Sequence, residues 1–198
     1  MSGTKERILL AALELFARDG YEAVSVSDIA GALGMTKAAL YKHYRNKRDI
    51  FDSILRRMEQ RDGEQARQYG LPEGMPEEPG DTCHAASAES IALFCRAMFR
   101  YWTEDPFASL FRRMLTLEQF RDPEMGKLYQ QYLASGPLDY TAELLAALGL
   151  PHPEEEAAAL YAPMFLLYSV YDGAEDKGAA PALLDALLDR TRERWNEA

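Results

Sequence analysis

Residues 25–48 read SVSDIAGALGMTKAALYKHYRNKR, and their spacing predicts two short helices joined by a tight turn. Ser27 is the expected N-cap of the first, because a serine oxygen there satisfies an otherwise orphaned amide. Ile29, Ala30 and Leu33 follow at the i, i+1, i+4 spacing of a single buried stripe. Gly34 comes next, where a left-handed residue closes a helix at no steric cost. Thr36 is placed to cap the second helix, with Leu40 on its inward side. That leaves Lys37, Ala38, Ala39, Tyr41, Lys42 and His43 to face outward. Two helices around such a turn make a helix-turn-helix, whose second helix enters the DNA major groove.

The flanks extend this unit. Over residues 4–18 an amphipathic helix carries Ile8, Ala12, Leu15 and Phe16, and Gly20 ends it. Lys47, Arg48 and Asp49 open a fourth helix with Ile50, Phe51, Ile54, Leu55 and Met58 on its apolar face. The stretch ILLAALELFARDGYEAVSVSDIAGALGMTKAALYKHYRNKRDIFDSIL resembles the DNA-binding domain of TetR-type transcriptional regulators, most specifically in LYKHYRNKRDIF. The resemblance covers the first quarter to third of the chain. It implies a ligand-responsive homodimer that binds a double-stranded DNA operator, most simply a repressor released by a small lipophilic effector. The alternative is a helical adaptor or small-molecule binder without specific DNA binding, against which the intact cations of 37–48 argue.

Composition is consistent with that reading. The chain has 198 residues and 47% hydrophobic residues, enough for a sizeable core. No apolar run approaches the roughly 20 residues that span a bilayer. MSGTKERI leads straight into a charged helix, so neither a signal peptide nor a membrane is expected, and a cytoplasmic location is. Only Cys83 and Cys95 are present, which suits a reducing compartment. The net charge of −10 is unevenly spread. Residues 1–50 hold eight Lys/Arg against six Asp/Glu, and five of those cations lie between Lys37 and Arg48 with no acid among them. Phosphate affinity depends on such a local cluster, because neutralising phosphates releases counterions.

The fold expected is all-α. Residues 1–50 form the helix-turn-helix domain, 51–69 a connecting helix, 70–87 a Pro/Gly-rich loop, and 88–198 a larger helical domain for ligand binding and dimerisation. Further helices are expected over 88–104, from Pro106 to near Phe120, and from Pro123. Gly136-Pro137 should interrupt the last of these before a helix over 138–148. Two long helices follow, over 153–176 with Pro163 inside and over 180–195. FLLYSVY and ALLDALL are apolar on more than one side, which suits a bundle shared with a second copy.

The middle helices are rich in aromatics. Phe99, Trp102, Tyr132, Phe165 and Tyr168 are the candidate effector-binding residues, since apolar pockets with a few polar groups hold small molecules and tyrosine hydroxyls supply such groups. Arg96, Arg100, Arg112 and Arg113 cannot be sorted into inward and outward by pattern. No Gly-rich phosphate loop, HExxH, GxSxG or CxxC occurs, so no enzymatic activity, catalytic residue or cofactor is expected. Cys83, His84 and Cys95 fall one ligand short of a closed zinc site, so no metal is expected either. Lys47 and Tyr41 are the expected phosphate contacts, with Lys37 reading guanine and Ala38 and Ala39 packing on thymine methyls.

Overall fold

Ser25, rather than Ser27, starts the helix-turn-helix. In the computed structural model, which describes residues 3–68 and 87–197, the Ser25 hydroxyl accepts the Asp28 N–H at 3.2 Å. The Asp28 carboxylate in turn accepts the Ser25 N–H at 2.8 Å, completing a capping box. Ser27 has no acid three residues on, and it lies exposed in the first turn of the helix that Ser25 caps. The pleat of the preceding segment also favours this register, because Val24 and Val26 are both buried.

Among the described residues every regular element is an α-helix: α1 (Thr4–Asp19), α2 (Val26–Ala32), α3 (Lys37–Leu40), α4 (Lys47–Gln68), α5 (Ala88–Glu104), α6 (Pro106–Glu118), α7 (Pro123–Leu133), α8 (Ser135–Ala147), α9 (Pro153–Gly173) and α10 (Ala179–Glu197). None is long and apolar enough to cross a membrane. Gly136 and Pro137 do not separate helices as expected. They sit in the first turn of α8, where the amide that proline lacks has no helical partner anyway. The interruption falls one step earlier, at Ala134 (φ −131°, ψ −99°). Ser87 caps α5 through its own box with Ser90, while the rest of the expected loop, 70–86, lies outside the described residues.

The chain divides into two compact units, one of residues 1–62 and 106–129, the other of 63–105 and 130–198. α6 and most of α7 fall in the first unit together with the helix-turn-helix. In this first unit α1 supplies Ile8, Leu9, Ala12, Leu13 and Phe16 to a core completed by Ile29, Leu40, Ile50, Phe51, Ile54 and Met58. Phe107, Phe111, Met114 and Leu115 of α6 are buried as well.

The second unit packs α5 against α9 and α10, and α8 against α9. Phe99 and Tyr168 stack with centroids 5.4 Å apart, and Tyr161 donates its hydroxyl proton to the Leu133 carbonyl at 2.8 Å. Arg96 on α5 reaches two acids one turn apart on α10, with Nε 2.9 Å from Asp185 Oδ1 and Nη2 paired with Asp189. Trp195 closes the far end by donating Nε1–H to Glu156 at 3.0 Å.

Candidate nucleic-acid interface

The turn between α2 and α3 is built from backbone bonds that only one residue type accommodates well. Gly34 has φ +62°; its N–H bonds to the Gly31 carbonyl at 3.0 Å and the Met35 N–H to the Ala30 carbonyl at 3.0 Å. These two bonds form a Schellman closure. Thr36 then caps α3 as expected, its hydroxyl accepting the Ala39 N–H at 3.2 Å. The helical course continues past Leu40, with the Tyr44 N–H bonding to the Leu40 carbonyl at 3.2 Å. Leu40 and Tyr44 point inward, and Tyr44 donates its hydroxyl proton to the Lys5 carbonyl at 3.2 Å.

This inward anchoring presents the remaining side chains to solvent. Thr36, Lys37, Ala38, Tyr41 and Lys42 are exposed, and Ala39 and His43 are half-buried. Lys37 Nζ lies 5.8 Å from the Tyr41 ring centroid, which holds the two on one face of α3. Ser27 is exposed on α2. The resulting surface combines two cations, two small side chains and a phenol, a set that suits guanine edges, thymine methyls and phosphate oxygens.

At the start of α4, the Asn46 side chain accepts the Asp49 N–H at 2.8 Å. Lys47 is half-buried, and its ammonium donates to the Tyr21 carbonyl at 2.8 Å and lies 4.2 Å from the Tyr21 ring centroid. The expected phosphate cation is thus held against the α1–α2 turn, with donor capacity to spare. Arg48 has no such freedom. Its guanidinium grips the Glu124 carboxylate at two points, each 2.6 Å, and donates from Nε to Asp52 at 2.7 Å. The Glu124 and Asp52 carboxylates raise the Arg48 pKa, and the guanidinium holds Glu124 below its ordinary value.

The candidate effector residues lie in the second unit, four of them in ring contacts with one another. Phe99 is stacked on Tyr168 and meets Tyr171 edge-on at 6.2 Å; Trp102 meets Tyr132 edge-on at 6.5 Å. All four candidates among these are buried. Phe165 departs from the expectation that it converges with them: it is 41% exposed. It belongs instead to an outward stripe of α9 that includes Ala158, Ala162, Leu166 and Val170. The arginines left unsorted also separate, with Arg112 buried, Arg96 paired to α10, and Arg100 and Arg113 exposed.

Among the described residues no group of three or more His, Cys, Asp or Glu side chains is placed to hold a metal ion; Cys83 and His84 lie outside them. Cys95 is buried on α5, and burial pushes its thiol up to about 12. Two residues of the first unit escaped sequence reasoning. Tyr21 carries the carbonyl that binds Lys47, and Glu118 at the end of α6 accepts the Tyr21 N–H at 3.1 Å. Neither belongs to a motif, and their partners lie 26 and 97 residues away.

Residues 8–54 match the family of bacterial regulatory proteins of the tetR type, and residues 86–194 match the tetracyclin repressor-like C-terminal domain. The chain belongs to the TetR family. It is similar to the HTH-type transcriptional regulator AcrR of Shigella flexneri, 38% identical over 66 residues, or 33% of this chain and 31% of that protein. It is likewise similar to the HTH-type transcriptional repressor BepR of Brucella suis biovar 1, 43% identical over 54 residues, or 27% and 26% of the two chains. These similarities span about a third or less of the length of the curated relatives. Over the whole TetR-family fold, a TetR-like transcriptional regulator from Rhodococcus sp. RHA1 superposes across 96% of each chain with a TM-score of 0.68 at 20% identity.

Proposed function

We propose that this TetR-family chain is a cytoplasmic, non-enzymatic, homodimeric transcriptional regulator that binds operator DNA and acts as a repressor released by a small lipophilic effector. The observation that carries this reading is the face of α3, where Thr36 sets the helix start and Lys37, Ala38, Tyr41 and Lys42 stand clear of the core. Such a helix reads one half-site, so two copies are needed for an operator. The stripe of α9 supplies a reason for pairing, since Leu166 is 63% exposed, and Leu183 of α10 is exposed as well. Apolar side chains grouped in this way are covered by a partner more often than by water.

In this reading Lys37, with Ala38 and Ala39, reads bases, Tyr41 and Lys47 hold the backbone, and Ser27, Thr36, Lys42 and His43 add base or phosphate contacts. Phe99, Trp102, Tyr132 and Tyr168 surround the effector, and Phe165 serves the dimer face. Effector and operator favour different states of the dimer, so each weakens the other by the same factor. A gel shift on the DNA upstream of the chain's own gene tests the reading. Retardation by the wild type, and its loss on adding a lipophilic effector, are expected. Binding that is equal on all sequences would favour the adaptor reading.

A further inference from the structure

A carboxylate buried at a helix end needs a reason, and Glu118 is 1% exposed at the last residue of α6. Its Oε1 accepts the Tyr21 N–H at 3.1 Å and lies 3.4 Å from the Arg121 guanidinium. The site it enters is made by Gly20, which has φ +90° and no side chain. A Cβ at Gly20 would lie 2.4 Å from Glu118 Oε1, so α1 ends on the residue that admits this carboxylate. On the other side of the Tyr21 Cα, the Tyr21 carbonyl takes the Lys47 ammonium at 2.8 Å and the ring lies beneath it. Phe16 and Phe51 hold that ring from two sides, with centroids 5.0 and 5.2 Å away.

The contacts form one line: Glu118 fixes the Tyr21 amide, Tyr21 fixes the Lys47 ammonium, and Lys47 stands at the first residue of α4. We propose that Glu118 is a positioning residue for DNA binding, setting through Tyr21 where the Lys47 ammonium meets a phosphate. The proposal rests on the reading that Lys47 faces DNA. It assigns Glu118 a role by reach, not by charge: what matters is an acceptor oxygen at the Tyr21 N–H. A general stabiliser of the fold would act on melting temperature alone.

Two near-isosteric variants separate these roles. Glu118→Gln keeps the reach and removes the charge; Glu118→Asp keeps the charge and withdraws the oxygen by one methylene. The first measurement uses the protein alone, following the Lys47 side-chain ammonium by 15N–1H correlation, assigned through Lys47→Arg. A slowly exchanging ammonium signal is expected in the wild type and E118Q, and its loss in E118D. The second is operator affinity across a salt series. E118D should lower the slope of log affinity against log salt by about one, as K47A does, and E118Q should not. The double variant K47A/E118D should lose no more than K47A. The reverse ranking, or additive losses in the double variant, would overturn the proposal. Failure of the wild type to bind any operator would overturn the DNA reading instead, and the ammonium signal would still score the Glu118–Tyr21–Lys47 line.

Discussion

At the scale of single residues, Lys37 and Lys47 should fail differently when replaced. Lys37→Ala removes a base-edge donor on α3, so a binding-site selection should show relaxed preference at one position in each half-site, with a cost of about 1–3 kcal/mol on the preferred sequence. An unchanged consensus would remove Lys37 from base reading. Lys47→Ala should weaken all sequences alike, seen as a shallower salt dependence. Residue roles were legible where their cause is local. Thr36 caps α3 because its hydroxyl needs only the amide three residues on. Ser27 is a false cap for an equally local reason: it follows Ser25 by two residues inside the first turn of α2, and Asp28 lies three residues after Ser25, not after Ser27. Glu118 was illegible, because the amide it serves comes from a turn 97 residues earlier.

Helix ends decide stability at the scale of elements. Ser25→Ala should cost the first unit about 1 kcal/mol by opening the capping box, and Gly34→Ala about as much by forcing a Cβ into a left-handed turn. Denaturant unfolding measures both, and a change under a few tenths at either site would count against the cap geometry. The same elements set the acid response. The Ser25 hydroxyl and amide lower the Asp28 pKa, the Arg45 amide lowers that of Asp49, and the Arg48 guanidinium lowers that of Glu124. Carboxylates depressed on folding contribute fully above their ordinary values of 3.8 and 4.5, and their contribution is lost as pH falls through the folded values. Stability of this unit should therefore change little through these groups from neutrality to about pH 5, and drop below it. A rise in stability on acidification to pH 3 would contradict this. Helix starts at Pro106, Pro123 and Pro153 were legible because proline suits a first turn. The α7–α8 break was not, since the same preference also allows Pro137 inside a helix start.

For the whole molecule, the proposed pairing is tested through one charge. The α9 stripe is apolar across Phe165, Leu166 and Val170, so Leu166→Glu should place two like charges in a shared interface and yield monomers in sedimentation. The monomer should lose most operator affinity, since the two half-sites would no longer bind as one. A dimer that survives L166E would move the interface elsewhere. Two helical parts were legible from patterning and from the basic cluster at 37–48. The membership of α6 in the first unit was not, because its apolar spacing fits any core equally well. Only the packed chain shows Phe107 and Phe111 buried in that unit, with Phe107 beneath the Arg57 guanidinium at 4.5 Å.

The thiol of Cys95 offers one consequence for the laboratory. Buried on α5 and pushed up to about 12, it is almost wholly protonated and shielded at neutral pH. It reacts only when the second unit opens. In a Cys83→Ser background, the rate of labelling by a soluble disulfide reagent becomes a clock for that opening, read on the protein alone. An effector seated among Phe99 and its neighbours should slow the clock in proportion to its occupancy, even before its identity is known, so that candidate compounds are ranked by the protection they confer. Rapid labelling of the unliganded protein would show that α5 is not held as the structure draws it.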